Sequence, residues 1–327
     1  YTSSSNLKAY WNFNDGSGNT LTDQTSNDND GTIYGPTWGP IIHNVPADYA
    51  TIQSALSTAN EGDMVLVQPG TYTENIIWPE TNGIKLISAG DSSNTIIDGG
   101  GVSSVIYVNP QTATIDTSTL IKGFKITNGG NVGTGAGLFC GSDGIQLKNM
   151  FITGNSISGG GAGIRLSGNT YFVISKCLVS NNSSTSEDWS VGGGGIYATG
   201  TAGKIINSEI NGNYGNYGGG VQLKESEVIM ENLLFENNHS RSEGAAIYFW
   251  GGNSTLNNSI IIGSVGRGIS TFLNTVTISN VKIINSSDNA IKTDRTIATY
   301  TYLDLINNES VDINNGSAIF SNCNFNG

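Results

Sequence analysis

A short apolar pair flanked by glycines occurs eight times along this chain, and a second apolar segment follows each pair nine or ten residues later. The pairs begin at Leu138, Ile164, Ile196, Val221, Ile247, Ile269, Ile291 and Val311. Successive pairs start 26, 32, 25, 26, 22, 22 and 20 residues apart. A β-type repeat with a period in the twenties is typical of a stacked solenoid, in which each repeat packs on its neighbours.

The second segments align with one another, and their first, fourth and sixth positions are predominantly apolar, which predicts inward-facing columns. They begin at Leu147, Ile174, Ile205, Met230, Leu256, Ile278, Tyr300 and Phe320, and an earlier copy in the same register begins at Ile121. Asparagine recurs at the third position, where Gly123, Lys176 and Tyr302 are departures, and again at the ninth. Because Asn tolerates left-handed turns and stacked amides can hydrogen-bond, we interpret both asparagine series as structural.

The composition excludes several classes of function. Charged residues make up 12% of the 327 residues, and the net charge of −12 disfavours nucleic acid as a partner. Since no apolar run reaches the length of a membrane span, we expect no membrane insertion. The three cysteines cannot all pair with one another, and Cys177 and Cys323 share an inward repeat position, which favours packed free thiols.

An amphipathic helix is predicted shortly before the first coil. Ile52, Ala55, Leu56 and Ala59 follow helical spacing and would cover the apolar end of the stack. This start and the repeats after it, from about Val45 onward, resemble the right-handed parallel β-helix proteins of the pectin-lyase type. The predicted fold is therefore all-β: residues 41–327 form a right-handed parallel β-helix of about ten coils, with an N-terminal capping helix.

Residues 1–40 differ from the repeats and are predicted to form a small β appendage. The stretches 10–18 and 29–33, together with Trp38, resemble the opening strands of a laminin-G or concanavalin-like lectin domain. The pattern stops at about Trp38, so we interpret this segment as a truncated lectin-like β segment. We expect that the function of this protein requires no cofactor. Ca²⁺ is the alternative, and its weak candidate ligands are Asp15, Asp23, Asp28 and Asp30.

Outward positions of the first strand of each repeat carry the candidate binding residues. Strand alternation places these side chains on one external face, with neighbouring coils about 4.8 Å apart. Aromatic rings beside hydrogen-bonding side chains suit sugars, and the loops that enter these strands would add further contacts. The predicted substrate-binding residues are Arg165, Trp189, Tyr197, Tyr214, Tyr217, Gln222, Tyr248, Trp250, Phe272 and Lys292.

Two cleavage chemistries fit the polar residues near this face. Glycoside hydrolysis needs two carboxyl groups, which Glu187 or Asp188 could supply together with Glu243. β-Elimination from a polyuronate needs a base, for which Lys224, Arg241 and His239 are the candidates. The aspartate set of polygalacturonases, the acidic calcium cluster of pectate lyases and the catalytic set of pectin methylesterases are all missing, so enzymatic activity stays open.

The sequence predicts a secreted or cell-surface protein that recognises a polysaccharide, with cleavage as an extension of that function. The alternative is a structural or adhesive surface protein. Tyr1 is not a start methionine, so the sequence suggests a processed or trimmed chain. The last repeat stops at Asn326 and Gly327 without a cap, so we expect further domains or self-association of this open coil with residues 1–40 of another copy into a fibre or layer.

Overall fold

The structure, a computed structural model, describes residues 7–13, 18–34, 39–133, 135–141, 144–168, 171–188 and 191–326. The chain separates into two compact units, Tyr1–Ile42 and His43–Gly327. In the first unit, strand β1 (Thr20–Leu21) pairs antiparallel with β2 (Gly31–Thr32), and Trp11 forms a β-bridge with Asp23. The second unit holds the repeats.

Among its described residues, the second unit contains one helix and a long series of strands. The helix is α1, Ile52–Leu56. The strands that follow β2 are β3 Ile42–Val45, β4 Met64–Val67, β5 Gly70–Thr73, β6 Ile76–Ile77, β7 Lys85–Ser88, β8 Thr95–Asp98, β9 Ile106–Val108, β10 Leu120–Lys122, β11 Lys125–Thr127, β12 Leu138–Cys140, β13 Ile145–Lys148, β14 Phe151–Thr153, β15 Ser156–Ile157, β16 Ile164–Ser167, β17 Tyr171–Ser175, β18 Leu178–Ser180, β19 Ser183–Ser184, β20 Ile196–Thr199, β21 Ala202–Ile206, β22 Glu209–Asn211, β23 Tyr214–Tyr217, β24 Val221–Glu231, β25 Leu234–Glu236, β26 His239–Glu243, β27 Ile247–Ile262, β28 Ile269–Phe272, β29 Thr275–Ile284, β30 Ile291–Asp294, β31 Ile297–Ile306, β32 Val311–Asn314, β33 Ser317–Ser321 and β34 Asn324–Asn326.

The first sheet is formed by the glycine-flanked apolar pairs. Across the described residues, ten parallel strands stack in this sheet, from β6 through β9 and β12 to β32. Ile196 pairs with Val221 and Val221 with Ile247 in direct register, and all three are fully buried. The stacking that the repeat spacing predicts is therefore confirmed, and the chain is a right-handed parallel β-helix of about ten coils.

The second and third sheets are formed by the two halves of the second apolar segment. Leu147, Ile174, Ile205 and Met230 stack in the second sheet, where each pairs with the next. The third sheet stacks the sixth-position residues, such as Val179 on Ile210. A sharp turn at the third position separates these two sheets, and all of its residues have φ between +49° and +83°: Gly123, Asn149, Lys176, Asn207, Asn232, Asn258, Asn280, Tyr302 and Asn322. We call this series the outer ladder.

A second asparagine series, the inner ladder, lies inside the coil at Asn155, Asn182, Asn213 and Asn238. The side-chain amide Nδ2 of Asn182 donates to Asn213 Oδ1 at 3.0 Å and to the Ile152 carbonyl at 3.0 Å. Asn155 Nδ2 donates to Asn182 Oδ1 at 2.9 Å, and Asn213 repeats the pattern with Asn238 at 3.1 Å. The structural interpretation of this series is confirmed, because each buried amide is bonded to the coils beside it.

The helix lies beside the first coil, and Ile52, Ala55 and Leu56 are fully buried. It is shorter than the spacing through Ala59 predicts, because it ends at Leu56 with Ser57 as its C-cap. Thr51 and Ser54 form a capping box, and the Glu74 carboxylate accepts hydrogen bonds from the N–H groups of Ile52 and Gln53 at 2.9 Å each. The cap is thus tied to the first coil by Glu74.

The cysteines are free thiols, as the repeat register predicts. Cys140 and Cys177 are buried, whereas Cys323 is partly exposed. Burial raises the pKa of the Cys177 thiol to about 12 despite opposing backbone hydrogen bonds. Within the described ranges, no helix has both the length and the apolarity needed to cross a membrane.

Candidate functional site

The outer face of the first sheet carries two columns of side chains. The covered column follows each strand start by one residue and includes Tyr197, Gln222 and Tyr248. These three side chains are 2%, 0% and 5% exposed. The expectation that they form a continuous exposed stripe with the aromatic residues beside them is therefore wrong.

Glycine-rich turns explain the burial of Tyr197 and Gln222. The backbone of Gly160 lies beside the Tyr197 ring of the next coil, where an added Cβ would be 3.1 Å from Tyr197 Cδ1. A Cβ on Gly192 would lie 2.3 Å from Gln222 Oε1. These turns fold over the covered column, and glycine permits the close approach because it has no side chain. The glycine runs were the sequence signal for this cover.

The open column lies two residues further along each strand and stays accessible. Lys224, Trp250 and Phe272 are direct neighbours in three successive coils, and each is half-buried. Lys224 Nζ lies 4.1 Å from the centre of the Trp250 ring, and the Arg295 guanidinium lies 4.5 Å from the centre of the Phe272 ring. Two of the predicted binding residues, Trp250 and Phe272, are therefore accessible on this face, and each aromatic ring lies beside a cation.

A cavity of about 260 Å³ opens beside the end of the open column. It brings together five of the predicted site residues, which come from four different coils. These are Tyr217, Glu243, Tyr248, Phe272 and Lys292. Ser242, Thr271 and Asp294 complete the lining.

A network of charges surrounds Glu243 at this cavity. Lys292 Nζ lies 2.5 Å from Glu243 Oε1, and Arg267 NH1 lies 3.2 Å from the same oxygen. The Arg267 Nε atom lies 3.5 Å from Asp288 Oδ2, and its NH1 donates to the Ser242 carbonyl at 2.6 Å. The carboxylate of Glu243 is only 17% exposed, so its position is fixed by two cations.

Two buried carboxylate oxygens of this cavity, Glu243 Oε2 and Asp294 Oδ1, have no hydrogen-bond partner among the described residues. Thr271 Oγ1 has none either, but Thr271 is buried on the inner side of its strand. Burial raises the pKa of Tyr248 well above its ordinary value, and the nearby Glu243, Tyr217 and Asp294 raise it further. Tyr248 therefore stays a neutral phenol, and the lining is rich in acceptors that need donors from another molecule.

Tyr214, His239 and Arg241 form a separate cluster on the four-stranded sheet of β15, β19, β23 and β26. The Tyr214 and His239 rings meet edge to face at 5.1 Å, and the Arg241 guanidinium lies 5.5 Å from the Tyr214 ring centre. None of the three lines the cavity. Arg165 is likewise separate: its guanidinium lies 5.0 Å from the Tyr197 ring, and burial lowers its pKa.

Glu187 and Asp188 are exposed and do not line the cavity that holds Glu243. The structure therefore does not bring them into a site with Glu243, because the loop that carries them lies on the surface. Trp189 lies outside the described residues. The catalytic roles proposed for these residues, and for Lys224, His239 and Arg241, stay predictions.

The calcium prediction also stays a prediction. Asp15 lies outside the described residues, and the described residues include no group of three or more potential metal-ligating side chains. Partial burial raises the pKa of Asp23, but hydrogen bonds from the N–H groups of Tyr10, Thr25 and Asn29 outweigh it and hold the pKa at about 2. The Asp30 carboxylate accepts from the Asp23 N–H at 2.9 Å. Both side chains thus stabilise turns.

Sequence reasoning missed four residues of the site: Ser242, Arg267, Thr271 and Asp294. Asp294 lies in the open column next to Phe272, at the 22-residue spacing of these coils, so the repeat register contains the signal for it. Thr271 points to the opposite side of its strand from the open column and is buried. No repeat rule indicates Arg267, because it lies in the turn before β28.

Part of the chain matches a known repeat family. Residues 176–199 and 232–249 match the Chlamydia polymorphic membrane protein repeat. Each segment starts at an outer-ladder residue, passes through the inner ladder at Asn182 or Asn238, and reaches the covered column at Tyr197 or Tyr248. The match therefore spans the structural residues of one coil. No curated protein has a matching sequence.

Several solved structures are similar to this chain. Pectate lyase Pel9A is 13% identical with a TM-score of 0.51, and the alignment covers 86% of this chain and 78% of the lyase. Pectin methylesterase from carrot is 12% identical, covers 85% of both chains and has a TM-score of 0.44. The GH87 α-1,3-glucanase of Streptomyces thermodiastaticus is 9% identical with a TM-score of 0.45, over 90% of this chain and 71% of that one.

The likeness to Pel9A establishes the fold, a pectate-lyase-like parallel β-helix, and no more than the fold at this identity. The predicted resemblance to this class is confirmed. The laminin-G resemblance of residues 1–40 gains no support from these matches.

Proposed function

We propose that this protein binds a polysaccharide along the open column of the first sheet and into the cavity beside it. The observation that carries the proposal is the convergence of aromatic, cationic and unpartnered acceptor groups in that cavity. Sugar rings offer apolar C–H faces to aromatic side chains and hydroxyl donors at their edges. Phe272 and the two tyrosines supply the first type of surface, and the carboxylates of Glu243 and Asp294 supply acceptors.

The open column also matches a linear ligand in its geometry. Lys224, Trp250 and Phe272 repeat at the coil spacing of about 4.8 Å, so a chain lying along the β-helix axis would meet one side chain after another. Trp250 and Phe272 are each half-buried, which keeps the rings rigid while one side stays open. Rigid aromatic surfaces lose little conformational entropy when a ligand binds.

The test is titration calorimetry of a panel of neutral and acidic polysaccharides against the wild type and two variants. Trp250→Ala and Phe272→Ala should each weaken binding by about fivefold or more, since stacking surfaces of this kind contribute of order 1 kcal/mol or more. Tyr171→Ala removes an aromatic ring that is 47% exposed on the second sheet and serves as the matched control. Equal affinity in all four proteins would contradict the proposal.

Cleavage of the bound chain is a second candidate function, favoured by the two carboxylates in one cavity. Glu243 and Asp294 both line it, and the separation of two such groups sets whether a glycosidase retains or inverts configuration. A reducing-end assay and an assay for unsaturated products would separate hydrolysis from elimination. Activity lost in Glu243→Gln and Asp294→Asn, and kept in Glu187→Gln, would support catalysis at this cavity. If neither assay detects a product from any polysaccharide that the protein binds, the protein is a binding protein without cleavage activity.

A structural or adhesive role at the cell surface is the alternative, favoured by the repeat match. The Chlamydia family is described as a membrane protein, and the two matched segments cover the coil that builds this β-helix. A secreted or cell-surface location and self-association through the last coil and residues 1–40 belong to this proposal. Negative-stain microscopy over a range of concentrations tests it, and the absence of polymers at every concentration would contradict a fibre.

A further inference from the structure

A wide groove of about 630 Å³ lies on a different edge of the β-helix, at the turn between the second and third sheets. Its floor is a column of neighbouring side chains in the third sheet, where Lys125 pairs with Phe151, Phe151 with Leu178, and Leu178 with Glu209. The outer-ladder residues Asn149, Lys176 and Asn207 form its rim. The groove lies away from the first-sheet cavity, with which it shares no lining residue.

Two positive charges stand in this groove on a protein whose net charge is −12. Neither Lys125 nor Lys176 forms an ion pair with a described residue, whereas the lysines Lys282 and Lys292 do. Lys125 Nζ lies 5.4 Å from the centre of the Phe151 ring. A cation beside an aromatic ring, in a field that is otherwise negative, complements a ligand that carries both an apolar face and a negative charge.

Lys176 is also a departure from the outer ladder that the fold does not require. Six of the nine ladder residues are Asn and one is Gly, and Lys176 adopts the same left-handed conformation at φ +53°. A lysine has no local hydrogen bond that favours this conformation, so it is strained there. Tyr302, the other large residue of the ladder, also lines a groove on this edge, beside Lys282 and Asp304. Residues held in strained backbone conformations are found at active sites and ligand-binding positions.

We infer that this groove is a second binding site, and that its ligand is an acidic polysaccharide with a carboxylate on its sugar rings. Lys125 and Lys176 would pair with the carboxylates, the Phe151 ring would stack on a sugar face, and the Asn149 and Asn207 amides would bond hydroxyls. Glu209 in the same groove disfavours a densely charged ligand such as a sulfated chain. The inference does not depend on the function proposed for the first sheet, because the two sites use different residues.

The experiment is titration calorimetry with polygalacturonate, which has one carboxylate on each ring, at low and at physiological salt. Lys176→Asn installs the usual ladder residue and removes the charge, so the variant is expected to fold at least as stably as the wild type. We expect affinity to fall at least tenfold in the Lys176→Asn, Lys125→Gln double variant and the wild-type affinity to fall with salt. Lys204→Gln, which changes the same charge at a half-buried strand position outside the groove, should stay within twofold of the wild type.

Further arms separate this site from the first-sheet site and from other ligands. Polygalacturonate binding that is lost in Trp250→Ala and kept in the double variant would assign it to the first-sheet cavity and overturn the inference. No binding of polygalacturonate by the wild type, or unchanged binding in the double variant, would also overturn it. Poly-glutamate or dextran sulfate bound as tightly as polygalacturonate would show that the groove takes an acidic peptide or a sulfated chain instead.

Discussion

The inner and outer ladders both repeat asparagine once per coil, yet the two differ in burial and in bonding. Asn182 of the inner ladder is 1% exposed, and its side chain bonds both neighbouring coils. Asn280 of the outer ladder is exposed, has φ +52° and donates one side-chain hydrogen bond, to Asn258 at 2.8 Å. One residue type therefore serves two purposes: hydrogen-bond satisfaction inside the coil, and a left-handed turn on its surface.

The inner ladder should be the more sensitive of the two. Asn182→Ala would leave the buried Asn155 N–H without its acceptor and would remove one hydrogen bond each from the Asn155 amide and the Ile152 carbonyl. Because a buried unpaired group costs roughly 1–3 kcal/mol, we expect the free energy of unfolding to fall by about 2–3 kcal/mol. Urea denaturation checks this value, with Asn211→Ala on the adjacent outer side of the coil as the control. A loss below about 1 kcal/mol would remove the distinction between the ladders.

The outer ladder should respond to backbone conformation rather than to hydrogen bonding. Asn280→Ala places an alanine at φ +52°, which costs about 1–2 kcal/mol, whereas Asn280→Gly should be close to neutral. The same denaturation experiment on both variants measures this difference. If glycine were as harmful as alanine, the exposed amide bond would matter more than the turn, contrary to the comparison.

A departure from the outer ladder offers the reverse experiment. The Tyr302 ring is 61% exposed, so its removal loses little burial, while Asn suits its φ of +52° and can reach Asn280. We expect Tyr302→Asn to raise the free energy of unfolding by about 0.5–1 kcal/mol. Thermal unfolding of the variant provides the measurement. Destabilisation would show that the ring stabilises this edge in a way that its exposure does not reveal.

Neither ladder contains an acidic group, so we expect neither to lose stability in acid. Glu80, outside the ladders, should cause a small decrease in the free energy of unfolding at low pH. Hydrogen bonds from the N–H groups of Gln111, Ala113 and Thr112 hold the pKa of Glu80 at about 2, below its ordinary value of 4.5. A depressed folded-state pKa stabilises the fold above the unfolded-state pKa, and this contribution is lost as the pH falls from about 4.5 to about 2.

The thermal midpoint measured across that pH window should therefore fall less steeply in Glu80→Gln than in the wild type. At neutral pH the variant is expected to be slightly less stable, because the neutral amide accepts weaker hydrogen bonds. Parallel curves for the two proteins would mean that the carboxylate contributes nothing to stability in acid.

The register of the coils was predictable because burial enforces it. Shifting Ile174 or Ile205 by one residue would turn an apolar side chain to solvent, so the alternation alone fixes which residues meet. The site was only partly predictable. Phe272 and Lys292 follow from that register. Arg267 lies in a turn and Ser242 lies in β26, outside the aligned segments, so the repeat pattern does not predict the position of either residue.

The sequence by itself determined the coil: its period, the residues that stack inside it, and the conformation of the turn at each outer-ladder position. These are local or nearest-neighbour properties, and each coil repeats them. Only the tertiary structure decided what stays open on the surface. Tyr197 and Tyr248 alternate outward like Trp250, but both are buried, Tyr197 beneath a glycine turn of the neighbouring coil, whereas Trp250 stays accessible. Alternation along a strand fixes the direction of a side chain, whereas its exposure depends on which backbone folds over it.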